Sequence, residues 1–385
     1  NFGQNNREFW DKAAKMKLTA KLVVFGRTCK PGTNPAEDQA VADILSVPAE
    51  YAAVYGKVWK KQVESVLKTG PEENIRILSE TVAYLKANGK KVFFDAEHFF
   101  DGYKDDKEYA IAVINAAEKA GADLICLCDT RGAFFPDDIK EIIEEVKPLI
   151  HVKTAVHIHN DSGMADAATC EAAFCGIDQI QGTVNGIGER CGNATLATCI
   201  ANLQLKKGFD VIPSEKLENL TKATRAISQI CNISTSGKPY ISRNAFSHKA
   251  GTHIDAMQKD TTSFEHIEPH LVGNKRNLVI SGLSGKSAIL PLISTFAPEL
   301  EKNYPETDKL LETIKEHESL GYQYEAAPAS LELLVRKTLG THQTHFRVER
   351  FKLFTEQTKK SESNAPVIDD KKQAELPMGL SSAFV

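Results

Sequence analysis

Two histidines one residue apart, His157 and His159, followed directly by Asn160 and Asp161, are the clearest chemical signal in this sequence. They close an apolar run, Thr154-Ala155-Val156, and precede Ser162-Gly163. Alternate residues of a strand point to the same side. The two imidazoles therefore share one face, with Ile158 turned the other way into apolar packing. Two imidazoles at that spacing supply half of a divalent metal site, and a mixed nitrogen and oxygen donor set tolerates magnesium, manganese or zinc. The competing reading is one core histidine and one exposed one, because a metal needs at least three ligands. A second stretch, Gly186-Ile187-Gly188-Glu189-Arg190-Cys191-Gly192-Asn193-Ala194, brackets a charged pair with three glycines, which let the backbone approach a ligand closely. Asn193 opens a helix there. Its side chain serves either as an N-cap or as a further oxygen donor to a cation.

These residues need elements to position them. Six short strand-like runs alternate with helical stretches: 22–26, 51–56, 91–97, 124–129, 155–159 and 179–183. The amphipathic stretches 73–87, 108–120, 137–149 and 165–175 lie between them, and three of these stop at Gly89, Gly121 and Gly176. Strand and helix repeated this way give a parallel sheet with right-handed crossovers, in the α/β class. No Gly-x-Gly-x-x-Gly follows an early strand, which removes the usual dinucleotide reading. Polar residues gather at strand C-terminal ends: Glu97, Asp129-Thr130, His157 with His159, and Thr183. Barrel active sites are built there. The expected architecture is a (β/α)8 TIM barrel lacking its first two strands in this chain, which would stand before residue 1.

After Lys206-Lys207-Gly208 the alternation ends. We divide the chain into a catalytic barrel over 1–210, helical linker subdomains over 211–318, and a partial α+β regulatory domain over 319–385. A helix is expected over 216–231, another from Pro328 to Leu339, and the start of a small α+β module from Thr344 to Phe354. Ser284-Gly285-Lys286-Ser287 reads as a helix cap, because Ile280 stands where a phosphate loop has its first glycine. The apolar (42%) and charged (25%) fractions are ordinary for a globular protein, and a net charge of -4 gives no reason to expect nucleic acid or an anionic membrane as partner. No apolar run approaches the ~20 residues of a membrane span. Eight scattered cysteines without a Cys-x-x-Cys pair point to reduced, mostly buried thiols and a cytoplasmic setting.

Together, 156–161 and 182–194 resemble the 2-isopropylmalate, homocitrate and citramalate synthase family of metal-dependent barrel enzymes, which condense acetyl-CoA with a 2-oxo acid. Residues 94–103 (Phe-Asp-Ala-Glu-His-Phe-Phe-Asp-Gly-Tyr), 202–206 and 245–253 look like the citramalate synthase branch. The resemblance implies that His157 and His159 are the metal imidazoles and that Asn193 lies on or near the metal. It places Glu97 against the acetyl group, and Thr130 and Thr183 at the oxo-acid carboxylate. Asn usually follows that threonine. Arg131 stands here instead, a cation that could favour an anionic substrate. His253 and Asp255 match a segment that in relatives reaches the partner subunit's active site, which implies a homodimer. The family's first-strand Asp-Thr-Thr-Leu-Arg-Asp-Gly motif, with a metal Asp and a catalytic Arg, is absent from these 385 residues.

The chemistry so implied is a Claisen-type condensation of acetyl-CoA with pyruvate, within isoleucine biosynthesis. A divalent ion polarises the keto group, and a base assisted by Glu97 or His253 deprotonates the acetyl methyl group. Thioester hydrolysis then releases CoA. Sister activities on 2-oxoisovalerate or 2-oxoglutarate are the near alternative, and a non-catalytic relative is the alternative of another class. The last module resembles the start of the family's allosteric domain and looks incomplete, so weak or no inhibition by isoleucine is expected.

Overall fold

The computed structural model describes residues 4–248, 253, 256–257, 259–278, 305–324 and 327–352. Six strands form one parallel sheet: β1 (Val23–Arg27), β2 (Tyr51–Lys57), β3 (Lys91–Glu97), β4 (Leu124–Asp129), β5 (Lys153–Ile158) and β6 (Gln179–Gln181). They pair strictly in chain order, β1 through β6. A doubly wound sheet reverses its order at a switch point. This one never does, so it is an arc of a barrel and not an open sheet wound from the middle. Neither β1 nor β6 has a further strand neighbour among the described residues.

Period-two alternation sorts the side chains into two layers. Val92, Phe94 and Ala96 of β3, Ile125 and Leu127 of β4, and Val156 and Ile158 of β5 are fully or almost fully buried and belong to the core under the helices. The opposite set, including Phe93, Asp95, Glu97, Cys128 and His157, faces the barrel interior. Helix α1 (Pro71–Ala87) contributes Ile77, Leu78, Val82 and Leu85 to the outer core, at the 3–4 residue spacing that makes one buried stripe. Its chain turns at Gly89 with φ 82°, a left-handed conformation that glycine adopts without a Cβ penalty.

Helix α2 (Phe99–Asp105) was not expected from the sequence. It follows His98, itself in the left-handed region (φ 59°), and is buried through Phe99, Phe100 and Tyr103. Past the sheet, α3 (Leu220–Cys231) follows a 3-10 segment, Ser214–Asn219, where one continuous helix over 216–231 was expected. Leu217, Leu220, Tyr240, Ile241, Phe246 and Val272 form a second core there against Ala197 and Ala201. Two further helices, α4 (Pro305–Ser319) and α5 (Pro328–Thr338), pack through Leu310, Ile314, Leu331 and Val335. Residues 341–352 form neither helix nor strand, so the module expected from Thr344 does not begin with a strand in this stretch. The cap expected at Ser284–Ser287 lies outside the described residues. No described helix is long and apolar enough to cross a membrane.

Candidate active site

A cavity of about 760 Å3 runs along the inward face of all six strands, from Val23 and Gln179 at their starts to Glu97 and Thr130 at or just past their C-terminal ends. Glu97, Thr130, His157 and His159 line it together with Asp95 and Tyr55. His157 ends the inward face of β5 and pairs in register with Cys128 on one side and Gln181 on the other. His159 lies just beyond the strand, where its N–H donates to Asp129 O at 3.1 Å. The Nε2 atoms of the two rings are 3.3 Å apart. Two nitrogens bound to one ion at about 2.1 Å lie about 3.0–3.4 Å apart for angles of roughly 90–110°. The two rings thus meet on one face of the chain, as the sequence spacing predicted, at a separation that one shared ion would also require.

Electrostatics keeps both rings ready to ligate. Burial, helped by the neighbouring ring, pushes the His157 pKa down to about 4. Burial and then the Arg190 guanidinium lower that of His159. Both imidazoles are neutral at pH 7 and present lone pairs. The glycine-rich turn closes over them. Asn193 bridges to His159 across the backbone, and Ala194 N–H donates to Ile158 O at 3.1 Å. Asn193 Nδ2 donates to Ile187 O at 2.9 Å, while its buried Oδ1 has no hydrogen-bond partner. A Cβ on Gly188 would sit 2.1 Å from that Nδ2, so a larger residue there would displace the Asn193 side chain. A buried acceptor without a donor is costly unless something fills the gap. Two neutral imidazoles and an orphaned amide oxygen fit a divalent cation, although among the described residues no three His, Cys, Asp or Glu side chains cluster.

Around this pair the loops are tied by charge. Arg190 Nε donates to Asp161 at 2.7 Å and its Nη2 to Thr130 O at 2.8 Å, which joins the turns after β4, β5 and β6. Glu97, at the end of β3, makes an ion pair of 2.7 Å with Lys57, its register partner at the end of β2. Both side chains are largely buried, so solvent screens this pair weakly.

With that geometry in place, comparison with known proteins is informative. Residues 1–227 match the HMGL-like family model, and residues 240–320 match the homocitrate synthase post-HMGL domain-like model. The chain belongs to the HMGL-like family. Its relatives include the (R)-citramalate synthases of Aquifex aeolicus, 43% identical over 90% of this chain and 66% of that protein, and of Geobacter sulfurreducens, 40% identical over 95% of this chain and 70% of that protein. The chain thus spans about two thirds of the length of these relatives. The hydroxymethylglutaryl-CoA lyase structure from Pseudomonas aeruginosa superposes with a TM-score of 0.50 at 15% identity, covering 61% of this chain and 77% of that one. The arc of six strands is therefore part of an HMGL-like TIM barrel.

Within this HMGL-like barrel, Glu97, Thr130, His157 and His159 come together on one cavity, and Asn193 abuts them. Thr183 is not among the lining residues, and its hydroxyl is used locally, donating to Ile187 O at 2.7 Å. Thr130 Oγ1 accepts the His98 N–H at 2.8 Å. Asn193 is not an N-cap, because the next helix begins at Leu196 after Thr195. Arg131 does not enter the pocket as a free cation. It pairs with Asp101 at 3.2 Å and lies 5.5 Å from the Trp59 ring centre, a place that satisfies its charge and its flat face. His253 is exposed and stacks on Phe264 at 4.2 Å, away from the cavity lining, and Asp255 lies outside the described residues. Lys57 and Asp95 were missed. Period-two alternation from Glu97 would have flagged Asp95, whereas Lys57 carries no motif signal.

Proposed function

We propose that this protein is an (R)-citramalate synthase that condenses acetyl-CoA with pyruvate and releases citramalate and CoA. The observation that carries the reading is the pair of neutral imidazoles whose Nε2 atoms lie 3.3 Å apart at the mouth of the barrel arc, facing the same cavity as Glu97. On this reading His157, His159 and Asn193 hold a divalent ion, which supplies a Lewis acid for the keto group of the oxo acid. Magnesium, manganese and zinc all suit such donors.

The remaining steps fall to the chain's own groups. Glu97, oriented by Lys57, accepts a proton from the acetyl methyl group or holds the base that does. The resulting carbon nucleophile attacks C2 of pyruvate, and water cleaves the thioester. Thr130 lies at the cavity wall, where its hydroxyl can meet the oxo-acid carboxylate. His253 and Asp255 serve the site of the other subunit in a homodimer, in keeping with the exposed position of His253 outside this cavity.

The test is thiol release by the full-length protein given acetyl-CoA with pyruvate, 2-oxoisovalerate or 2-oxoglutarate in turn. Release with pyruvate is expected. Release only with the branched acid or only with 2-oxoglutarate would reject the pyruvate assignment in favour of a sister activity.

A further inference from the structure

Away from the barrel mouth, a cavity of about 480 Å3 lies between α3, the 3-10 turn Arg243–Phe246 and the loop 273–277. Four cations line it: Arg225, Arg243, Lys275 and Arg276. Three separate segments supply them, on a chain whose net charge is -4. Among the described residues only Arg276 has an acidic partner, Glu265 at 2.8 Å and Glu268 at 3.4 Å. The side chains of Arg225, Arg243 and Lys275 make no hydrogen bond or ion pair to any described residue.

The gathering is built, because buried bonds hold the three segments in place. Asn274, itself buried, donates from Nδ2 to Tyr240 O and Ser242 O, both at 2.8 Å, which fixes the loop beside the base of Arg243. Thr221 of α3 donates to Val272 O at 2.6 Å, which fixes the same loop to the helix that carries Arg225. A Cβ on Gly273 would lie 1.8 Å from Glu218 O, so the loop sits hard against the entry to α3. Like charges confined this way repel one another unless an anion enters.

We propose that this cavity binds a phosphorylated small molecule carrying two or more phosphoryl groups. Guanidinium forks match phosphate oxygens two at a time, and a lysine adds a point charge. The volume is several times that of one phosphate and falls within the usual range for small-ligand sites. Two sources share this chemistry: the nucleotide end of a coenzyme A thioester, and a free polyphosphate or nucleotide effector. The proposal stands independently of the reaction assigned to the barrel mouth.

The test is calorimetric titration of the full-length protein with pyrophosphate and with adenosine 3′,5′-bisphosphate, for wild type and for the double substitution Arg225→Gln with Arg243→Gln. All four cationic positions are exposed, so the fold is expected to survive, and an unchanged melting midpoint confirms this. Binding at least tenfold weaker in the glutamine pair, largely recovered by Arg225→Lys with Arg243→Lys, is the expected result. In steady-state assays, a rise in KM for acetyl-CoA with no rise for pyruvate assigns the site to the coenzyme, and unchanged KM values with weakened anion binding assign it to an effector. Two results would overturn the proposal: equal affinity in wild type and the glutamine pair, or no anion binding by the wild type. If, in the second case, the substitutions also dissociate the oligomer, these cations face an acidic surface of a second copy.

Discussion

Replacing Asp95 by Asn should make the protein more stable in mildly alkaline solution and leave it almost unchanged in acid. Asp95 lies on β3 two residues before Glu97, inside the barrel arc, and its buried Oδ1 lacks a hydrogen-bond partner. Burial pushes its pKa up to about 7, well above the ordinary aspartate value of about 3.9. At about 1.4 kcal/mol for each tenfold change in proton affinity, this corresponds to about 4 kcal/mol. The folded pKa lies above the unfolded one, so the stability of the neutral acid is fully present below about pH 4 and is lost as pH rises through 7. Asn is a neutral near-isostere and has no such loss. Urea unfolding at pH 4, 6 and 8 reads the difference. With a slope of about 3 kcal/mol per molar, the Asp95→Asn midpoint should exceed wild type by about 1 M at pH 8 and by a few tenths of that or less at pH 4. A midpoint difference independent of pH, or a variant weaker than wild type at pH 8, would refute the claim that the interior of the arc is poorly solvated.

Other substitutions probe the remaining links. Glu97→Gln should fold normally and lower thiol release about 100-fold or more, as expected for loss of a proton acceptor. Lys57→Met removes the ion-pair partner of Glu97, so kcat should fall roughly 10-fold or more, with much of it restored in Lys57→Arg. Gly102→Ala would put a Cβ 2.8 Å from Val58 O, and a loss of about 1–3 kcal/mol of stability, read by urea unfolding, is expected. Burial holds His157 near pKa 4 and also lowers His159, so manganese affinity should fall less between pH 8 and about pH 5.5 than it would for two ordinary histidines. An ordinary histidine would already cost about tenfold at pH 5.5.

Much of the fold was legible because parallel strands buried on both faces are written as apolar runs. All six strands stand within a few residues of their expected bounds, and Gly89, Gly121 and Gly176 each take a positive φ after a helix, as their positions foretold. The inward set Glu97, Thr130, His157 and His159 followed from alternation and from the rule that barrel sites lie at strand C-terminal ends. The misses share a physical cause, which is partnership across long sequence separations. Asp101-Gly102 looks like a turn in isolation, yet it sits inside α2 because Gly102 alone can pass so close to Val58 O. Arg131 looks like a pocket cation until Asp101 and Trp59, 30 and 72 positions earlier, capture it. Lys57 has meaning only through its register with Glu97, forty residues on. Asn193 looks like a helix cap because the helix starts only three residues later.

Manganese titration followed by electron paramagnetic resonance, on wild type and on His157→Ala with His159→Ala, addresses the paired imidazoles most directly. The account predicts one bound Mn2+ per wild-type chain, perturbed on adding pyruvate, and its loss in the double substitution with the fold intact by circular dichroism. Equal manganese binding in the two proteins would contradict it, because the cation would then lie somewhere other than between these two rings.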